Sequence, residues 1–330
     1  MPFFLCGKSP THGAAREARA ERRPPVLPTG QACLTDPVSA LPSREVRTPE
    51  KHSFRPWQFP RQERATVTAE VIDNNPTEQP ADDQSTPAWL SALRSELDPN
   101  SKRRLAALAP KPDWRCLEIG AGSGTVSRWL AEQCPAGKVT ATDIELGPLS
   151  EAVAGNLEIV QHDVTTEDFP EGTFDLIYAR YVFSHLRSRE ADLARVVSWL
   201  KPGGWLMLEE PAKFPVDSAR NDAYREVSLA TLAQYKEQVG TDLEWPRSFP
   251  APLVALGLEE IGLESSISLV GDSRPMALFW GEALKGWGPI VVSAGGATEE
   301  QVAEAVGLMY QEDYWDLGLA TMAAWGRRPS

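Results

Sequence analysis

Leu117-Glu-Ile-Gly-Ala-Gly-Ser-Gly-Thr125 is the stretch that decides the fold. A short apolar run, Trp114-Arg-Cys-Leu-Glu-Ile119, leads into Gly120, Gly122 and Gly124, with Ala121 between the first two. Thr125-Val-Ser-Arg-Trp-Leu-Ala-Glu-Gln133 then has the spacing of an amphipathic helix. Glycines at these points allow positive φ and let a ligand approach bare backbone, while the helix start offers N–H groups without intrahelical partners. Alone, such a loop is a weak signal: a structural turn is a minority explanation, and a dinucleotide site competes with other ligand cradles.

The residues around it separate these readings. The dinucleotide fingerprint GxGxxG needs its third glycine at position 125, which is Thr125. Glu118, two residues before the first glycine, would repel a pyrophosphate but suits an ammonium or sulfonium charge. Asp143 closes a second strand, Lys138 to Asp143, 19 residues beyond Gly124, where a carboxylate can accept both hydroxyls of a ribose. His162-Asp163-Val164 follows a third strand, Leu157 to Gln161, and places an acceptor where an adenine amino group would lie.

The chain continues in alternation. Phe174 to Ala179 reads as a fourth strand, Glu190 to Leu200 as a helix stopped by Lys201-Pro-Gly-Gly204, and Trp205 to Glu210 as a fifth strand. Such alternation means βαβ units, hence an α/β fold whose parallel sheet is covered on both faces. Upstream, Trp89, Leu90, Leu93 and Leu97 predict a helix closed by Asp98-Pro99, and Lys102 to Leu108 predicts a second.

With Glu118-x-Gly-x-Gly-x-Gly, Asp143, Asp163, Phe174-Asp175 and Leu200-Lys-Pro-Gly-Gly in place, the sequence over about Leu97 to Leu208 resembles the class I, Rossmann-like S-adenosylmethionine-dependent methyltransferases. The resemblance implies a seven-stranded sheet of order 3-2-1-4-5-7-6 with strand 7 antiparallel. Leu263 to Val270 can serve as strand six and Leu319 to Gly326 as strand seven. It also implies that Glu118, Gly120, Ala121, Gly122 and Gly124 surround the methionine portion of S-adenosyl-L-methionine and that Asp143 holds the ribose. Asp163 and Val164 would frame the adenine, Ile144 would pack on it, and Tyr178, Ala179 and Arg180 would lie beside the sulfonium. Two segments exceed the minimal pattern, about 214–250 and 271–317, and are expected to form lid insertions.

Other candidates carry two readings each. His185 is either a general base on a hydroxyl acceptor or a structural residue, with the structural role favoured. Arg180 either neutralises a carboxylate of cofactor or substrate or sits in a buried ion pair. His162 is expected on the surface or at the adenine rim. Glu209 and Glu210 read as an end-of-strand polar pair, so no metal is expected. The aromatic residues of the two insertions either line an acceptor pocket or are plain packing, and Cys116 should be a core thiol.

Of the 330 residues, 33 are Lys or Arg and 46 Asp or Glu, a formal charge of −13 that disfavours nucleic-acid partners. The four cysteines (Cys6, Cys33, Cys116 and Cys134) have no paired spacing, which excludes a disulfide scaffold and points to a cytoplasmic protein. No run is long enough for a membrane span, and the opening Met1 to Gly7 is too short for a secretory signal. The expected activity is methylation of O or N on a small-molecule acceptor. The rivals are an adenosylmethionine-binding scaffold without transferase activity and an NAD-dependent oxidoreductase.

Residues 1–80 hold 12 of the 28 prolines and 11 Lys or Arg against 9 Asp or Glu, without apolar periodicity. They predict a disordered tail, either an unselected extension or a basic docking arm, ahead of a methyltransferase domain over 81–330. A chain beginning at Ala81 is therefore expected to keep its melting temperature and its affinity for adenosylmethionine. Precipitation of that truncated chain, or loss of binding in calorimetry, would overturn this division.

Overall fold

The computed structural model describes residues 87–147, 149 and 155–330. The expected tail at 1–80 lies outside them. The described elements run α1 (Ala88–Ala107), β1 (Arg115–Ile119), α2 (Thr125–Gln133), β2 (Lys138–Asp143), β3 (Leu157–Gln161), β4 (Phe174–Arg180) and α3 (Arg189–Ser198). They continue with β5 (Leu200–Ala212), α4 (Asp222–Gln234), α5 (Ala251–Ala255), β6 (Glu259–Val270), α6 (Pro275–Ser293), α7 (Glu299–Leu308) and β7 (Asp316–Arg327). The strands form one sheet of order β3-β2-β1-β4-β5-β7-β6. β1 to β5 pair in parallel, and β7 is antiparallel to both β5 and β6. This is the Rossmann-like order that the resemblance implies. No helix among the described residues is long and apolar enough to cross a membrane.

The two-residue period of the strands divides the core. Leu117, Ile119, Ile177, Leu206 and Leu208 pack with Leu193, Val196 and Trp199 around α3. Their alternates Cys116, Leu176, Tyr178 and Met207 pack with Val126, Leu130 and Leu105 of α2 and α1. Sheet faces buried on both sides need such continuous apolar strands.

The insertions are helical. The first contains α4 and the second α6 and α7, and these three helices join α1 in a separate apolar cluster. Tyr224, Tyr235, Phe279, Trp280 and Trp287 are buried inside it, with Tyr235 set edge-on to Trp287 at 4.3 Å. For these aromatics plain packing is the outcome. Tyr310 and Trp315 stay exposed.

Two expectations fail locally. Instead of two helices there is one, α1, with Pro99 inside it. Proline removes one backbone bond, but Asp98, Ser101 and Arg104 lie on one face and dock on the sheet across the break. Arg104 donates to Glu209 at 2.9 Å, and its side chain and that of Glu209 are 2% and 0% exposed. Ser101 and the Tyr178 hydroxyl also donate to Glu209, the latter at 2.8 Å. Arg180 donates to Asp98 at 2.9 Å and to Ser101 at 3.0 Å. Tertiary polar contacts thus override the local breaker. Likewise, Lys201-Pro-Gly-Gly lies inside β5 rather than before it. Gly203, at φ +75°, carries the strand through a register shift opposite Phe174 and Leu176.

Arg104→Ala would strand the Glu209 carboxylate in the interior. A loss of about 3–5 kcal/mol is expected, read from urea unfolding of the purified variant.

Candidate functional site

The glycine loop is built by its own backbone and by the strand beside it. Gly120, Gly122 and Gly124 have φ of +69°, +60° and +71°, a region costly for other residues. A Cβ on Gly120 would also come within 2.4 Å of Val182 Cγ2. The Ala121 N–H donates to the Thr142 carbonyl at 2.8 Å, and the Thr142 hydroxyl returns a bond to the Glu118 carbonyl at 3.0 Å. The Gly122 N–H donates to the Asp143 carboxylate at 2.9 Å. Asp143, at the tip of β2 and 5% exposed, therefore holds the loop against the neighbouring strand.

Glu118 lies beneath the loop, 3% exposed, and accepts a hydrogen bond from Ser127 of α2. Burial pushes its carboxyl up to about 7, against the opposing pull of Ser127 and the Arg180 guanidinium. Above the loop stands α1. Leu90, Leu93 and Arg94 face Glu118, Gly120, Gly122, Ser123 and Arg180, and about 10 Å³ remains between them, room for one water.

The other sequence candidates divide between this pocket and the core. Arg180 lines the pocket and also pairs with Asp98 at 2.9 Å. Tyr178 and Ala179 are fully buried within β4 and face opposite sides of the sheet. Ile144 is half exposed just after Asp143. Asp163 accepts from the N–H and hydroxyl of Thr165, at 2.8 and 2.6 Å, while Val164 packs into the core. His162 is not a surface residue. It is 8% exposed and stacked on Phe169 at 4.6 Å, because the loop after β3 folds that ring over it.

His185 sits in a short turn after β4, buried, with Nδ1 2.9 Å from the Thr241 hydroxyl. Burial and then the Arg189 guanidinium push its imidazole well below the ordinary value, so it is neutral at physiological pH. It is not among the residues around the pocket. Glu210 accepts from the N–H groups of Val182, Phe183 and Ser184 and from the Ser184 hydroxyl, which fixes the turn that carries His185. Sequence reasoning missed the α1 residues Leu90, Leu93 and Arg94 as pocket walls. Their signal is the polar stripe Asp98, Ser101 and Arg104, which marks that helix as docked on the sheet rather than free.

Residues 89–263, just over half of the chain, match the methyltransferase domain family. With the sheet order above, the chain belongs to the class I S-adenosylmethionine-dependent methyltransferases. Similar curated proteins include phosphoethanolamine N-methyltransferase 3 of Arabidopsis thaliana, 26% identical over 157 residues, or 46% of this chain and 30% of that protein. The ubiquinone/menaquinone biosynthesis C-methyltransferase UbiE of Stutzerimonas stutzeri (strain A1501) is 29% identical over 139 residues, 39% of this chain and 54% of its own. The chain thus spans under a third of the first relative and about half of the second. Among solved structures, phosphoethanolamine N-methyltransferase 2 of Haemonchus contortus, in complex with phosphomonomethylethanolamine and S-adenosylhomocysteine, aligns at 18% identity and TM-score 0.45. That alignment covers 69% of this chain and 53% of the other.

The raised carboxyl of Glu118 sets a pH dependence. Below about pH 7 it holds a proton that a cationic ligand must expel, so affinity for such a ligand rises with pH and each binding event releases a proton. Calorimetry with adenosylhomocysteine in buffers of different ionisation enthalpy should show this release between pH 6 and 7 and its loss above pH 8. Glu118→Gln should abolish it.

Proposed function

We propose that the chain binds S-adenosylmethionine at the glycine loop and transfers its methyl group to oxygen or nitrogen of a small-molecule acceptor. One observation carries the reading. The positive-φ glycine loop lies between two buried carboxylates, Glu118 beneath it and Asp143 beside it. The donor set fits the cofactor: one carboxylate for a cationic amino-acid portion, a second for a ribose diol, and bare backbone between them. Ile144 offers an apolar ledge, and Asp163 with Val164 an edge, on the adenine side. When bound, the cofactor supplies an electrophilic methyl on a sulfonium sulfur.

The chain's own residues then have three tasks. The glycine loop and Asp143 fix the position of the bound nucleoside, which turns a two-molecule encounter into a positioned reaction. Leu90 and Leu93 of α1 exclude water from the loop, which strengthens the attraction between Glu118 and a positive charge. Arg180 stays neutralised by Asp98, so its charge does not oppose the sulfonium. His185, buried against Thr241, serves structure in this reading, and no general base is required. The acidic surface and the relatives' names, which refer to phosphoethanolamine and to ubiquinone and menaquinone biosynthesis, support a metabolite acceptor.

Thermal shift with adenosylmethionine, adenosylhomocysteine and NAD separates the rivals. The expected result is stabilisation by the first two only, followed by transfer of a labelled methyl group to members of a panel of small amines, phenols and alcohols. Stabilisation by NAD alone would sink the proposal. Asp143→Ala should weaken adenosylhomocysteine about 10- to 100-fold, since a charged acceptor is worth roughly 1.5–3 kcal/mol.

A further inference from the structure

The sheet ends differently at its two edges. β3, at one edge, is 5 residues long and carries the surface pair Lys138–Glu158 at 2.8 Å. A short strand with charges on it is a poor template for another chain. β6, at the other edge, is 12 residues long, about 40 Å, and contains neither proline nor lysine. On its outer side every second residue turns its N–H and C=O away from β7, so a row of backbone donors and acceptors faces outward. A bulge at Glu260, φ +49°, bends only the first residues. From Gly262 to Ile267 the register against β7 is unbroken.

The two faces of β6 are unlike. Glu264 and Ser266 face α1, where Arg103 and Arg104 donate to them. Leu263, Ser265, Ile267 and Leu269 share the opposite face. α5 covers only the beginning of that face, where its Leu253 joins Ile261 in the apolar layer around α3. Beyond Ile261 the three aliphatic side chains are between 38% and 46% exposed, and Val254 of α5 is exposed as well. An apolar stripe beside an open backbone ladder is a surface that a further strand covers, by main-chain bonds along the edge and side-chain pairing on one face.

The sequence of β6 fits a second copy of itself. An edge that pairs with its own copy about a two-fold axis does so antiparallel. With the axis at Ser265, Leu263 falls opposite Ile267 of the second copy, Ile261 opposite Leu269, and Glu264 opposite Ser266. Apolar meets apolar, and no carboxylate directly faces another. The charges agree with this register. The chain carries −13 overall, yet two of the three glutamates of β6 are balanced, Glu264 by Arg103 and Arg104 and Glu260 by Arg327 at 2.8 Å. On an acidic chain, a locally balanced edge is where an equally acidic copy meets least repulsion. The two Arg103–Glu264 pairs would then be diagonal neighbours across the axis, so that unlike charges alternate there.

We propose that β6 is the contact between two copies of this chain, which join edge to edge and antiparallel, so that a single sheet runs through both.

Sedimentation equilibrium on the full chain should give twice the monomer mass at micromolar concentration. Ile267→Lys sets a charge in the apolar pairing, and Leu263→Lys does the same from the opposite position. Each should raise the dissociation constant about 30-fold or more and leave the circular dichroism spectrum unchanged. Hydrogen exchange on the unmutated chain is the check that needs no variant: amides of 262–270 should become protected as concentration rises through the dissociation constant. Protection that does not depend on concentration would overturn the proposal. So would a chain that is monomeric at every concentration reached, which would leave the edge to a strand of another protein. A dimer that persists in both lysine variants would also overturn it, as would one that dissociates only when residues 1–80 are removed, which would place the contact in that segment.

Discussion

The ion pair between Arg104 and Glu209 is the constraint on which the rest of the molecule depends. Both side chains lie in the interior, where removing either one would leave the other without its partner. Glu209 is on β5 and Arg104 on α1, and Glu264 of β6 is 2.9 Å from the same guanidinium. Three stretches far apart in the chain are thereby brought into register. A pair of apolar residues could fill the same volume, but it would not fix the rotation of α1 about its own axis. Directional bonds do fix it, and that rotation turns Leu90, Leu93 and Arg94 toward the glycine loop.

The sheet was legible from sequence because its signals are local. Runs of five to seven residues ending at Ile119, Asp143, Gln161 and Arg180 are strands by length and pattern, and the glycine loop announces its own geometry. The placement of Asp143 next to the loop was legible for the same reason. The unity of α1 was not, because a proline inside an apolar period is a breaker by every local rule. What overrides it is a set of contacts to residues more than 75 positions away, among them Arg180 and Glu209. The burial of His162 escaped for a similar reason, since its polarity suggests a surface position and the ring that covers it, Phe169, lies further along the same loop. The walls of the pocket belong to the same class of long-range facts.

The buried carboxylates differ in what surrounds them, and this sorts their roles. Glu209 faces a guanidinium and two hydroxyls and is fully engaged. Glu210 is surrounded by backbone N–H groups, a scaffold for the turn after β4. Glu118 has the hydroxyl of Ser127 and an open side toward the glycine loop. A carboxylate with one open side in a dry site is the one suited to meet a mobile charge. The chemistry of the site therefore follows from how incompletely each acid is satisfied rather than from acidity alone.

The docking of α1 also has a cost during synthesis. Its partners Glu209 and Glu264 lie 105 and 160 residues downstream of Arg104. At ~5–20 residues per second, α1 waits roughly 8–30 s on the ribosome before the last of them has been made. Throughout that interval Leu93 and Leu97 have no α6 to pack on, and for its first two thirds Arg104 also lacks Glu209. The first of the described helices to be translated is thus among the last to be fully packed, and a nascent chain stalled before β6 presents the α6-facing side of α1 to whatever chaperones stand at the exit tunnel.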